Sequence, residues 1–164
     1  MKLKLADYFT YGNLLSGLIS IYFSINNNFT LATISILIGV FFDHIDGKVA
    51  RMMKQESELG AQLDSFADAI TFGVSIAVLS YMRFQDIYLG IISLLFVSCG
   101  VYRLARFNVK KDSKPTKYFE GTPITINGII IPLIIIFYPN IYLIGALLIL
   151  LSATMVSKLK IKHW

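Results

Sequence analysis

Four aspartates stand in two pairs within DHIDGKVARMMKQESELGAQLDSFAD: Asp43 with Asp46, and Asp64 with Asp68. Spacings of three and four residues put each pair on one face of a helix. Clustered carboxylates select hard divalent ions, Mg2+ or Mn2+, with Ca2+ able to occupy the same oxygens. Two such ions set four positive charges against four negative ones, and a bridged ion pair stabilises a phosphoryl group while its ester bond is exchanged. His44, beside the first pair, is not needed as a ligand and reads as a packing group or a neighbour of the ligands. The plainer alternative pairs the acids with Lys48, Arg51 and Arg106 as structural salt bridges; one or two such bridges do not require two faces of paired acids.

The elements that must position these acids are membrane helices. Hydrophobic residues make up 55% of the 164-residue chain and charged residues only 15%, too apolar for an ordinary soluble domain. A bilayer core takes roughly 20 helical residues per crossing, so six crossings use about 120 residues and leave short loops. The expected fold is all-α, a single polytopic domain over 1–164. Six spans are expected at 11–26, 31–52, 59–81, 87–108, 123–139 and 141–158, preceded by a short N-terminal segment lying at the interface. The connections INNNF, MRFQD and YPN are short and turn-like. Of the fifteen basic residues only Arg83 falls on the side of these short loops, so the positive-inside rule places both termini and the acidic segment at the cytoplasmic side of the cell membrane. That asymmetry accounts for the net charge of +5 as a face beside anionic headgroups, and no nucleic-acid site is called for. The single cysteine, Cys99, excludes an internal disulfide and reads as a small packing residue.

The second and third spans are antiparallel neighbours, so all four carboxylates converge near one end of the pair. Each charge would cost about 3 kcal/mol at mid-bilayer, and mutual repulsion adds to that, so a cationic partner is required. Gly47, Ala50 and Gly60 interleave with the acids and leave walls with little side chain, against which a flat base or a pyrophosphate could lie close. Arg51 offers a planar fork for phosphate oxygens, Ser57 a hydroxyl donor. Glu56 and Glu58 read as solvated loop residues.

Asp43, Asp46, Gly47, Ala50, Arg51, Gly60, Asp64 and Asp68 fill every fixed position of D-x2-D-G-x2-A-R-x8-G-x3-D-x3-D. In this the chain resembles the CDP-alcohol phosphotransferases. The resemblance implies transfer of a phosphatidyl-type group from a CDP-linked lipid to an alcohol, with release of CMP. It also implies that Asp43, Asp46, Asp64 and Asp68 hold two divalent ions, and that Asp68 doubles as the base for the attacking hydroxyl. Gly47, Ala50, Arg51, Ser57 and Gly60 would line the nucleotide. Asn13 and Ser16, in YGNLLSG, are similar to an N-x2-T/S element of the family's first helix, and a capping or packing role explains them equally well. A homodimer is a further implication.

The acceptor is read from a second stretch. RLARFN followed by F-x-G-x-P-I-T (Phe119 to Thr125) resembles the phosphatidylserine synthase branch of the family, which makes L-serine the expected acceptor. Serine's carboxylate needs a cation, and Arg106 is the expected one, with Arg103 and Asn108 beside it. The plainer reading makes the arginines interfacial anchors, and Asn127 and Thr125 helix-packing groups. The loop VKKDSKPTKYFEG would close over the site. The competing acceptors are glycerol 3-phosphate and inositol 1-phosphate. A prenyltransferase lacks the D-G-x2-A-R continuation, and a cation transporter would need polar residues toward the opposite face. The donor is CDP-diacylglycerol or an ether-lipid analogue; the apolar sequence does not distinguish them.

Overall fold

A computed structural model describes residues 4–53, 57–111, 118–120, 122–157 and 160–162. Among the described residues, six helices follow the expected order: α1 (Leu5–Ile25), α2 (Phe29–Met52), α3 (Glu58–Phe84), α4 (Ile87–Lys111), α5 (Ile124–Phe137) and α6 (Ile141–Val156). The short connections end in residues that cap the next helix. Asn28 accepts the N–H of Leu31 at 3.2 Å, Asp86 that of Leu89 at 2.8 Å, and Asn140 those of Tyr142 and Leu143 at 3.0 and 3.2 Å. Each satisfies donors that a helix start leaves open. Asn27 and Gln85 turn the chain with positive φ of 58° and 50°.

α2, α3 and α4 are long and apolar enough to cross a bilayer. α5 and α6 are shorter apolar helices of 14 and 16 residues, the first about 21 Å long at 1.5 Å per residue. The all-α fold class stands, and two details add to it. α1 begins at Leu5, six residues before the expected span, so the stretch read as an interfacial lead-in is already helix. Asp7 explains the early start: its carboxylate accepts the Lys4 backbone N–H at 2.8 Å and closes the first turn. The fold also carries a small antiparallel ribbon, Tyr118–Glu120 paired with Lys160–Lys162, which joins the segment before α5 to the tail after α6. Most of the loop expected to close over the site lies outside the described residues.

The bundle has two unlike halves. Phe72, Ile76, Leu79, Phe96, Ile131, Ile135, Ile144, Leu148 and Met155, from α3 to α6, form the fully buried apolar core together with Ile36 of α2. α1 is built the other way round. It buries Asp7, Thr10, Asn13, Ser16, Gly17, Ser20 and Ser24 and turns Leu15, Leu18 and Tyr22 outward. In a bilayer the apolar outer face meets lipid, and helices associate through close packing and internal hydrogen bonds. Gly17 and Gly39 provide that approach, since a Cβ on either would lie 2.5 to 2.6 Å from the Thr71 side chain.

Candidate active site

The acids converge as their spacing requires. Asp43 of α2 and Asp64 and Asp68 of α3 each present an oxygen within 4.8 Å of the others. Asp43 and Asp68 are neighbours at hydrogen-bonding range. Asp46, one turn along α2, is buried; its Oδ2 accepts the Thr10 hydroxyl at 2.9 Å, and it lies within electrostatic range of Asp64. All donors in the group are carboxylate oxygens. Oxygens around one Mg2+ at 2.0–2.1 Å stand about 3 to 4 Å apart, so the set fits a hard divalent ion after small side-chain adjustment. His44 is exposed, in electrostatic range of Asp43 and outside the acidic group.

Beside the acids lies a cavity of about 210 Å3 lined by Asp7, Thr10, Asp46, Gly47, Ala50, Arg51, Ser57, Gly60 and Asp64, with Ala6 and Ala61. All five residues between the acid pairs that the sequence pointed to are therefore on its wall. Ser57 has a local task as well: it caps α3, accepting the Gly60 N–H at 3.1 Å. Asn13 reaches the acids from α1, its Nδ2 donating to Asp68 Oδ1 at 3.2 Å. Ser16 does not reach them, because its hydroxyl donates back to the Gly12 carbonyl at 2.8 Å.

Asp7 and Thr10 belong to this site and are absent from the sequence reading. The signal was present: polar residues at positions 7, 10 and 13 recur at helical spacing in an otherwise apolar helix. The lysines and Asp7 around the helix start mask that period in the sequence.

The second expected cluster divides. Arg106 donates from Nη1 to the carbonyl of Val156 at 3.0 Å and from Nη2 to those of Ser157 and Met155 at 3.1 and 3.3 Å. It thus caps the C-terminus of α6, where open carbonyls favour a cation. Arg103, one turn earlier, is buried and within electrostatic range of Asp68, and its Nε has no hydrogen-bond partner among the described residues. Asn108 donates to the Ser65 hydroxyl at 2.9 Å, tying α4 to α3. Asn127 is buried and donates weakly to the Met155 sulfur at 3.6 Å, a packing position.

Residues 3–157 match the CDP-alcohol phosphatidyltransferase family. A Bacillus subtilis protein named CDP-diacylglycerol–serine O-phosphatidyltransferase is 37% identical over 159 residues, covering 94% of this chain and 88% of that one. A Methanocaldococcus jannaschii protein of the same name is 36% identical over 163 residues, covering 96% and 73%. The archaetidylserine synthase of Methanothermobacter thermautotrophicus is 38% identical over 133 residues, covering 79% of this chain and 56% of that one.

Proposed function

The chain belongs to the CDP-alcohol phosphatidyltransferase family, and we propose that it moves the phosphatidyl group, or its ether-lipid equivalent, from a CDP-linked lipid to L-serine in phospholipid synthesis. The observation that carries this reading is the meeting of α2 and α3 carboxylates beside a cavity walled by Gly47, Ala50, Gly60 and Arg51. Serine as acceptor is supported by the names of relatives that align over nearly the whole chain.

In this reading Asp43, Asp46, Asp64 and Asp68 hold two divalent cations, Mg2+ or Mn2+, which when bound neutralise pyrophosphate charge and stabilise the leaving group. Gly47, Ala50 and Gly60 let the nucleotide approach the helix backbones, and Arg51, Ser57, Asn13, Asp7 and Thr10 surround it with polar groups. Asp68 accepts the proton of the serine hydroxyl as its oxygen attacks the lipid-bearing phosphorus. The bond from that phosphorus to the bridging oxygen breaks, and CMP departs with the electron pair. Position and electrostatics, rather than basicity in water, make an aspartate adequate for this step. Arg103 is the cation best placed for serine's carboxylate, being buried on the Asp68 side of α4; Arg106 supports it by fixing α6.

The whole chain acts as one catalytic domain, a homodimer with its site at the cytoplasmic side, where serine and CMP exchange with water while the acyl or ether chains stay in the bilayer. The asymmetry of basic residues supports that orientation. The test is CMP release by purified protein given CDP-diacylglycerol and a panel of serine, glycerol 3-phosphate and inositol 1-phosphate, with and without Mg2+ or Mn2+. Metal-dependent release with serine alone is expected. Release with a phosphorylated alcohol and none with serine would refute the acceptor, and no release with any acceptor would refute the transfer.

A further inference from the structure

We propose that Thr71 is a positioning residue that sets the orientation of Asp68 by clamping Asn13, through a π-helical turn built into α3 for that purpose. The inference rests on the reading of Asp68 as metal ligand and base. The regular ladder of α3 stops directly after Asp68: Ala69–Val74 is π-helical, and the Ser75 N–H reaches back to the Ile70 carbonyl. Single π turns inside α-helices recur at functional sites, because the extra residue re-aims the side chains around it.

Here the re-aimed side chain is Thr71. It is fully buried, and its hydroxyl leaves α3 to donate to the Asn13 carbonyl of α1 at 2.9 Å. That carbonyl is the one an α-helix pairs with the N–H of residue 17, and residue 17 is a glycine. A Cβ there would stand 2.5 Å from Thr71 Oγ1 and 2.8 Å from its Cα. On the other side, a Cβ on Gly39 of α2 would lie 2.6 Å from Thr71 Cγ2 and 3.1 Å from Asn13 Oδ1. Two helices are thus stripped of bulk around one threonine of a third. The same Asn13 that receives the Thr71 hydroxyl on its carbonyl donates its amide to Asp68 Oδ1. Asn13 is held at two points by two residues of α3 on either side of the start of the π turn, which fixes its amide and, through it, the Asp68 carboxylate. A side chain held this way determines whether a ligand oxygen and a base occupy their working positions.

A packing role would rest on the shape of Thr71, a positioning role on its hydroxyl, and two variants separate them. Thr71→Val keeps the branched shape and removes the donor, whereas Thr71→Ser keeps the donor and removes the methyl. Both are measured for serine-dependent kcat, for the CDP-lipid KM, for thermal unfolding and for Mn2+ affinity by electron paramagnetic resonance without substrate. The expected result is a loss of about 10- to 100-fold in kcat and weaker Mn2+ binding for Thr71→Val at little-changed CDP-lipid KM, with Thr71→Ser restoring both to within about threefold of the parent. Thr71→Val near parental in kcat and Mn2+ affinity would overturn the proposal. So would a Thr71→Ser variant damaged tenfold or more, even if Thr71→Val does not fold. Asp68→Asn run alongside separates the two levels: retained turnover there refutes the base assignment, while Mn2+ binding by the Thr71 variants still decides the clamp.

Discussion

The half of the bundle formed by α1, α2 and the start of α3 differs in kind from the half formed by α4, α5, α6 and the end of α3. The first buries carboxylates, hydroxyls, an amide and glycines. The second buries mainly isoleucine, leucine, phenylalanine and methionine, with Ser93, Arg103 and Asn127 among them. Apolar burial between helices in lipid gains only packing, so the second half is where tight fit maintains the fold. The polar half carries like charges that repel one another in the absence of cations, a cost borne for function. Substitutions should therefore separate: changes among the polar residues at the cavity, with Arg103 of α4 beside Asp68, alter kinetics with small effects on stability, and changes in the apolar core do the reverse.

The largest expected effect lies among the acids. Asp68→Asn should lower kcat by about a thousandfold with CDP-lipid binding largely kept, as loss of a general base does. Asp43→Ala or Asp46→Ala should abolish metal-dependent CMP release, and a chelator should do the same to the parent protein. An acid variant retaining near-normal turnover would break the comparison at its functional end.

Next come the two arginines. Arg103→Ala should raise the serine KM about 10- to 100-fold while changing the CDP-lipid KM little, the scale of a hydrogen bond to a charged group. Arg106→Ala should leave the serine KM near parental and lower thermal stability by about 1 to 2 kcal/mol through the loss of the α6 cap. The reverse assignment of KM effects would return the carboxylate contact to Arg106.

A smaller kinetic effect is expected from the apolar core. Leu148→Ala should cost about 2 to 5 kcal/mol in unfolding measured in detergent, with kcat and both KM values within about twofold at a temperature where the protein is folded. In the polar half, Asp43→Asn should raise the melting temperature of metal-free protein by relieving repulsion, and Mn2+ should raise the melting temperature of the parent more than that of the variant. Equal stabilisation of both by metal would contradict the placement of charge in that half.

The same division governs what the sequence makes legible. Among the described residues, five helix starts are legible within a few residues: Asn28, Ser57, Asp86 and Asn140 cap α2, α3, α4 and α6, and Pro123 stands at the N-cap position of α5. The aspartate pairs were legible because spacings of three and four leave one geometric option. The start of α1 is less legible, because Asp7 is a charged residue that serves as both cap and cavity wall. The sequence points to Arg106 for the serine carboxylate, but Arg103 lies one turn away on the same side of α4. Which neighbour each meets, Asp68 or the end of α6, depends on tertiary packing that no local pattern encodes. The π turn at Ala69–Val74 has no compositional mark, and its role appears only once Gly17, Gly39 and Asn13 surround Thr71.

The central claim is that carboxylates from α2 and α3 share doubly charged ions at the cavity. An anomalous difference map from crystals of the protein grown with Mn2+ tests it most directly. Two peaks among Asp43, Asp46, Asp64 and Asp68 are the predicted result; the absence of Mn2+ signal among these four side chains at saturating metal would contradict it.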